Sequence, residues 1–320
     1  MNPAPRLSII SPCFHDEGNI EALVRRLEEV CHRMGVSYEI VLVDDGSSDG
    51  TWEKIRKSAG ERPAVRGLRL TRNQGHQAAV SAGLAACRGE RVLIIDSDLE
   101  DPPELLPEMM AAMDAGAENV YGVRLTRPGT PAWKRAAYKA FYRLLNMLAG
   151  SPIPADSGDF RLISRRVVDA VNAMPEKHRF LRGMISWLGY PSAALPYHRE
   201  PRHAGKSGYT LRKLFLFAVD GITSFSIVPL RLATLLGLLM SAVWLVGAAY
   251  VLVTATVFGV PVSGWASLMV VTLFMGSMNL LVLGILGEYL GRLFIESKGR
   301  PIFVVMEETP GRAANPIPGP

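Results

Sequence analysis

The sequence predicts an α/β domain built on a parallel sheet, followed by a two-helix membrane hairpin. Three observations predict it. Short β-rich runs alternate with helical runs through the first part of the chain, Asp- and Asn-bearing clusters follow the strands, and no Asp, Glu, Lys, Arg or His occurs between Leu232 and Gly287. Alternation of this kind favours a parallel sheet covered by helices, and in such sheets ligands gather at the carboxyl ends of the strands.

The strand candidates are Leu7–Ser11, Glu39–Val43, Val65–Leu70, Arg91–Asp96 and Glu118–Val123. Between them, residues 20–34, 52–59, 74–87 and 104–115 carry apolar positions at helical spacing. The polar clusters are Pro12–Asn19 after the first strand, Asp44–Thr51 after the second, Thr71–Gly75 after the third and Asp96–Pro103 after the fourth. Trp133–Leu148 is a basic amphipathic stretch, read either as a helix packed on the core or as one lying at a lipid surface. Tyr209–Ser226 is a second of this type.

Residues 232–258 and 265–286 are each long enough to cross a hydrocarbon core of roughly 30 Å. The alternative is a buried helical hairpin in a soluble protein. Arg212, Lys213 and Arg231 precede the pair, Arg292, Lys298 and Arg300 follow it, and the linker Gly259–Gly264 has no basic residue. The positive-inside tendency therefore puts both ends in the cytoplasm. The expected organisation is a cytoplasmic domain over 1–210, an interfacial helix over 211–230, the hairpin over 231–291 and a tail over 292–320 that is Pro- and Gly-rich after Glu308.

The net charge of +5 and a pI near 9.2 fit a nucleic-acid binder or a protein resting on anionic lipid, and the apolar block favours lipid. Cys13, Cys31 and Cys87 are too few and scattered for a disulfide framework and read as buried thiols of a reducing compartment. No apolar signal-peptide core precedes the first strand.

Asp96-Ser97-Asp98 closes an apolar strand and leads into Leu99-Glu100-Asp101-Pro102-Pro103-Glu104. Carboxylates two apart at a strand end can converge on Mg²⁺ or Mn²⁺, which typically take one or two carboxylates and fill their shell from substrate phosphates. Such an ion acts as a Lewis acid on a diphosphate leaving group. Asp101 and Glu104 also read as acidic residues near a helix start. Asp44-Asp45-Gly46-Ser47-Ser48-Asp49-Gly50-Thr51 superficially resembles a calcium loop, but Arg56 stands where the bidentate Glu is required. Asp44 and Asp45 read as ligand-binding carboxylates, and Asp49 as a helix cap. No Gly-x-Gly-x-x-Gly follows the first strand, and Glu200 replaces the upstream Gly that would make Gly205-Lys206-Ser207 a phosphate loop.

Taken together, Pro12–Asn19, Asp44–Thr51, Arg72–His76, Asp96–Glu104, Asp156–Arg166 and Arg202–Tyr209 resemble family-two glycosyltransferases of the polyprenyl-phosphate type, which include dolichyl-phosphate mannose synthase. Gly284–Arg292 followed by Arg300-Pro301 resembles the C-terminal signature of the bacterial undecaprenyl-phosphate members with two spans. His15 departs from that pattern, where Asn is usual. The resemblance implies a GT-A-type, Rossmann-like nucleotide-sugar domain in a bacterial inner-membrane protein that binds no nucleic acid. It implies that Pro12, Phe14, Asp16, Asp44, Asp45, Arg72, Asp96, Ser97 and Asp98 bind the nucleotide-sugar. Asp96, Asp98 and Glu100 would hold Mg²⁺ or Mn²⁺, and Asp96, Asp98 and Asp156 would serve catalysis. Asp159 stands beside Asp156 in the same acceptor region. His76 and His178 read as structural or surface residues.

A phosphate monoester with a second pKa of about 6 is already a nucleophile near neutral pH and needs charge compensation more than a base. Arg supplies this through two-pronged contacts. The candidates are Arg124, Arg127, Arg135, Arg161, Arg202 and Lys206. The expected reaction is inverting transfer of a sugar, glucose first among the UDP-sugars, to undecaprenyl phosphate. UDP-aminoarabinose, UDP-N-acetylhexosamines and GDP-mannose are the other donors considered. The resemblance also suggests a homo-oligomer. Competing readings are a processive polysaccharide synthase, which lacks support because no Gln-x-x-Arg-Trp motif occurs, and an inactive scaffold recruiting a flippase or polymerase, which the intact Asp96 and Asp98 oppose.

Overall fold

A computed structural model of the chain describes residues 4–125, 157–198, 227–257 and 264–309. They fall into a sheet unit and a separate unit of long helices.

The sheet unit contains β1 (Leu7–Cys13), α1 (Ile20–Met34), β2 (Tyr38–Asp44), α2 (Thr51–Glu61), β3 (Val65–Leu70), α3 (His76–Ala86), β4 (Arg91–Ile94), a 3₁₀ turn at Pro103–Leu105, α4 (Leu106–Asp114) and β5 (Asn119–Arg124). It continues through β6 (Ser157–Ser164), α5 (Arg165–Ala173), α6 (Leu181–Trp187) and β7 (Ser192–Tyr197), and regains the chain at β8 (Val305–Glu308). The strand order is β7-β5-β6-β4-β1-β2-β3-β8. The centre is the parallel sheet expected from the alternation, with β1 paired to β2 and β4, and β2 to β3, and at one edge β7 also runs parallel to β5. β6 runs antiparallel between β4 and β5, and β8 antiparallel along β3.

Every residue of β1 is buried, as a strand covered on both faces demands. Helix α1 buries Ile20, Leu23, Val24, Leu27, Val30 and Cys31 along one stripe. Helix α3 reaches the sheet through small residues. A Cβ on Gly83 would lie 2.3 Å from Ile10 Cγ2, so glycine is what allows α3 to approach β1 this closely. All three cysteines are buried and unpaired with one another.

Glu39 of β2 is a buried structural charge. It accepts from Ser8 Oγ and Arg88 N, each at 2.6 Å, and from the guanidinium groups of Arg88 at 3.0 Å and Arg66 at 3.3 Å. Burial alone would raise its pKa, but Ser8 and Arg88 outweigh burial and hold it below the ordinary value. Its contribution is thus present above the unfolded-state pKa and is lost as pH falls through the folded value. Glu39→Gln is expected to cost about 3 kcal/mol at neutral pH. Thermal melts of both proteins from pH 7 down to pH 4 should show the gap narrowing.

Residues 304–309, which read from sequence as tail, close the β3 edge. Thr71 N donates to Val304 O at 3.0 Å, Gly67 N to Thr309 Oγ1 at 2.8 Å, Trp52 Nε1 to Glu307 at 3.0 Å and Arg66 Nη2 to Glu308 at 2.7 Å. A four-residue strand with two glutamates carries no period-2 signal, and its partners make it a strand.

The second unit holds α7 (Val228–Thr256) and α8 (Trp265–Ser297). Both contain stretches long and apolar enough to cross a membrane, and none of the residues in the most hydrophobic windows is buried. A buried soluble hairpin would cover those faces. Helix α8 passes the expected end at Leu286 because nothing breaks it before Gly299, and Glu288 and Arg292 pair across one turn at 3.1 Å. The stretches Trp133–Leu148 and Tyr209–Ser226 lie outside the described residues.

Candidate active site

Loops at the carboxyl ends of β1, β2, β3 and β4 enclose a cavity of about 460 Å³. Its wall includes Pro12, Phe14, His15, Asp16, Asn19, Asp45, Asn73, Gly75, His76, Asp96, Ser97 and Asp98.

The first loop is folded around Asp16. Its carboxylate accepts from Phe14 N at 2.9 Å, Ser97 Oγ at 2.6 Å and Asn19 Nδ2 at 3.2 Å, while its own N–H donates to Thr51 Oγ1 at 2.9 Å. This tight turn leaves Phe14 partly exposed on the cavity wall. His15 adopts φ 57° and donates its N–H to Ser47 Oγ at 3.1 Å. Asn and His are among the few non-glycine residues enriched in that left-handed region, which accounts for His standing where the resembling family has Asn.

In the second loop the two aspartates divide. Asp44 is fully buried, accepts from Ser47 N at 3.0 Å and pairs with Arg69 at 3.4 Å beneath the turn. Asp45 reaches the wall and accepts from Gln74 N at 2.7 Å and Gly75 N at 2.9 Å, so it also shapes the Thr71–Gly75 loop. Asp49 accepts from Thr51 N and Oγ1 at 3.1 and 2.6 Å; the N-cap position of α2 is Gly50, so Asp49 ties the helix start from one residue before the expected cap position. Gly46 has φ 69°, and a Cβ there would lie 2.5 Å from the carbonyl carbon of Arg72. Gly46→Ala is therefore expected to push the Arg72–Asn73 backbone outward, costing roughly 1–3 kcal/mol and raising the donor KM. Denaturant melts and donor titration measure the two effects.

In the fourth loop Asp96 is deeply placed. Burial, partly opposed by His76, raises its carboxyl to about 6. Its Oδ1 has no hydrogen-bond partner, and His76 Nε2 lies 3.7 Å away. Asp98 accepts from Glu100 N at 3.2 Å across Leu99, whose φ of 60° is unusual for a branched apolar residue and marks a turn held by its surroundings. Asp101 is buried beneath, bonded to Tyr197 Oη and to Arg124 at 3.4 Å, and Glu104 pairs with Arg26 at 2.6 Å.

The family model described as glycosyl transferase family 2 matches residues 8–171. The chain is 40% identical over 94% of its length to an uncharacterised glycosyltransferase of Synechocystis, covering 95% of that protein. It is 38% identical over 95% of its length to the bactoprenol glucosyl transferase of Shigella phage SfV, covering 99% of it. The chain belongs to glycosyl transferase family 2. At the level of fold, the glycosyltransferase also matches glucosyl-3-phosphoglycerate synthase from Mycobacterium tuberculosis, solved with Mn²⁺, UDP-glucose and glycerol 3-phosphate. That match has a TM-score of 0.50 and 17% identity, covering 68% of this chain and 78% of that one.

In the glycosyltransferase the cavity gathers Pro12, Phe14, Asp16, Asp45, Asp96, Ser97 and Asp98 from the expected nucleotide-sugar set. Asp44 lies beneath the turn, and Arg72 is exposed beside the cavity without lining it. Glu100, expected at a metal, is buried and off the wall. Among the described residues no three His, Cys, Asp or Glu side chains gather as an all-protein cage. The buried, unbonded Asp96 Oδ1 and the neighbouring Asp98 fit instead a hard cation that draws its remaining ligands from a diphosphate.

Of the residues expected at an acceptor phosphate, Arg124 is engaged by Asp101 and by Tyr197 Oη at 3.1 Å. Arg161 is buried in β6, where desolvation lowers its guanidinium to about 10. Neither lines the cavity. Asp156, Arg127, Arg135, Arg202 and Lys206 lie outside the described residues.

One group beside the cavity carries a network that no motif marks. His76, at the head of α3, lies 3.0 Å from Asp159 Oδ2, and Arg182 binds both oxygens of Asp159 at 2.6 and 3.1 Å. Its signal was available in one respect: His76 directly follows the Arg72–Gly75 cluster. Arg182, 106 positions away, had none. Burial disfavours the charged imidazole, but Asp159 and Asp96 outweigh it and raise His76 to about 9. Burial likewise works against the Asp159 carboxylate, but Arg182 and His76 carry it well below the ordinary range, which makes it a poor proton acceptor.

Proposed function

We propose that the protein transfers glucose from UDP-glucose to the phosphate of a polyprenyl lipid of the bactoprenol class, with inversion at the anomeric carbon, at the cytoplasmic face of a bacterial inner membrane. The observation that carries this reading is identity of 37–38% to bactoprenol glucosyl transferases along nearly the whole of both chains, the two apolar helices included. The placement of residues 1–210 as a cytoplasmic domain, and of the two apolar helices in the membrane, is part of the same proposal.

The site suits such a reaction. Phe14 offers a partly exposed ring to a base, and Asp45 holds the opposite loop against it. Asp96 and Asp98 form the acidic end of the cavity, where a bound Mg²⁺ or Mn²⁺ would supply charge compensation to the departing diphosphate. One non-bridging oxygen of the lipid phosphate forms the new bond to the anomeric carbon as the bond from that carbon to UDP breaks. The electron pair leaves with UDP. No side chain has to remove a proton, because the phosphate oxygen is ionised beforehand.

The test is label transfer from UDP-glucose, UDP-N-acetylglucosamine and GDP-mannose into solvent-extractable lipid by the full chain with undecaprenyl phosphate, with and without EDTA. Glucose transfer that EDTA abolishes is the expected result. No transfer from any donor would return the protein to the scaffold reading.

A further inference from the structure

We infer that His76 is a positioning residue for Asp96: Asp159 and Arg182 fix the imidazole, and the imidazole holds the half-buried Asp96 carboxylate in place for the donor diphosphate and its divalent cation. The inference rests on the donor reading above.

The arrangement starts from topology. Asp96 follows β4 and Asp159 lies on β6, and these strands are antiparallel neighbours with Ile94 opposite Arg161. Both carboxylates are thereby brought within reach of one side chain. His76 enters from α3 with Nε2 at 3.0 Å from Asp159 and 3.7 Å from Asp96. One ring nitrogen thus bonds Asp159 and faces Asp96.

The ring is held from behind. Arg182 of α6 grips Asp159 with a two-pronged contact, and Gln77 Nε2 reaches the same carboxylate at 3.4 Å. Gln77 Oε1 in turn accepts from Leu181 N at 2.9 Å, bracing α3 on α6. Asp159 therefore has its oxygens occupied and serves as an anchor. Without the ring, nothing would fill the space between Asp159 and Asp96, and the Asp96 carboxylate would be free to turn. His76 lines the cavity and Arg182 does not, which separates a positioning role from direct contact with the donor.

The experiment uses the full chain in detergent. UDP binding is measured by calorimetry with EDTA and with Mn²⁺, and Mn²⁺ binding alone by its electron-spin signal. His76→Ala and Arg182→Met are each expected to lower Mn²⁺ affinity and the Mn²⁺-dependent gain in UDP affinity about 10- to 100-fold. UDP binding in EDTA should stay within about twofold of the parent, and the double variant should be no worse than His76→Ala, because both act through one path. Should Arg182→Met fail to fold, Arg182→Lys, which loses the two-pronged contact, carries the same comparison.

Parental Mn²⁺ behaviour in the Arg182 variant would overturn the inference and leave His76 as a donor contact. Equal losses with and without Mn²⁺, or additive losses in the double variant, would overturn it as well. A parent that binds no UDP under either condition would remove the donor reading and this inference together.

Discussion

Asp98→Ala is expected to lower glucosyl transfer about 10²- to 10³-fold, with the loss in kcat and no recovery at saturating UDP-glucose. The size is that of removing one preorganised electrostatic partner from a developing charge. Asp98 stands on the cavity wall next to Asp96, whose unbonded buried oxygen leaves this end of the site short of positive charge. Losing one of two carboxylates there weakens the hold on a cation shared with the diphosphate. Asp98 also accepts from Glu100 N at 3.2 Å, so alanine has a structural cost at a turn already held at a positive φ. Asp98→Asn separates the two effects. It keeps an oxygen for the Glu100 amide and removes the charge, so it should melt with the parent and be nearly as inactive as alanine. An asparagine variant with turnover within about threefold of the parent would refute the charge-based account of the site.

Much of this centre was legible because the chemistry lies at strand ends, and strand ends are marked locally. Apolar runs stop at Pro12, Asp44, Thr71 and Asp96, polar clusters begin there, and those loops line the cavity. The two aspartates of the second loop were not separable in the same way. Adjacent residues at the end of a strand point to opposite sides, and which of them faces the ligand depends on the turn that follows. Gly46 makes that turn, sending Asp44 under the loop to Arg69 and Asp45 to the Gln74 and Gly75 amides. Arg182 was illegible for a different reason. Its role exists only because α6 packs where it can brace α3, and no periodicity over 181–187 encodes a partner at residue 159. Arg124 and Arg161 show how partners alter what a cation can do. As isolated cations they suit a phosphate, but Asp101 and Tyr197 engage the first and β6 buries the second.

The return of the chain to the sheet after α8 leads to the other large effect. Ending the protein at Ile227 removes the hairpin and β8 together, whereas excising 228–299 and bridging the gap with a flexible Gly/Ser linker removes the hairpin alone. Loss of β8 strips Thr309 from Gly67 N, Glu307 from the Trp52 indole and Glu308 from Arg66, and it opens the β3 edge. Each buried donor left without a partner costs about 1–3 kcal/mol, and an open edge invites association with other chains. The truncated protein is therefore expected to melt well below the excised one and to aggregate. The loop carrying Arg72–Gly75 should fail with it, because Thr71 N loses Val304 O, and with the amides oriented by their partners the Gln74 side chain loses Ile302 O and Val304 N, each at 3.1 Å. The excised protein should keep UDP affinity within about threefold of the parent. Its glucosylation of undecaprenyl phosphate in vesicles should nevertheless fall at least about 100-fold, since a protein released from the bilayer loses the high effective concentration of an acceptor confined there. A short-chain, water-soluble polyprenyl phosphate should restore much of the rate. If the excised protein glucosylates the long lipid in vesicles as fast as the parent does, the apolar helices have no part in reaching the acceptor; if the truncated protein binds UDP and melts like the excised one, β8 has no part in holding the donor loop.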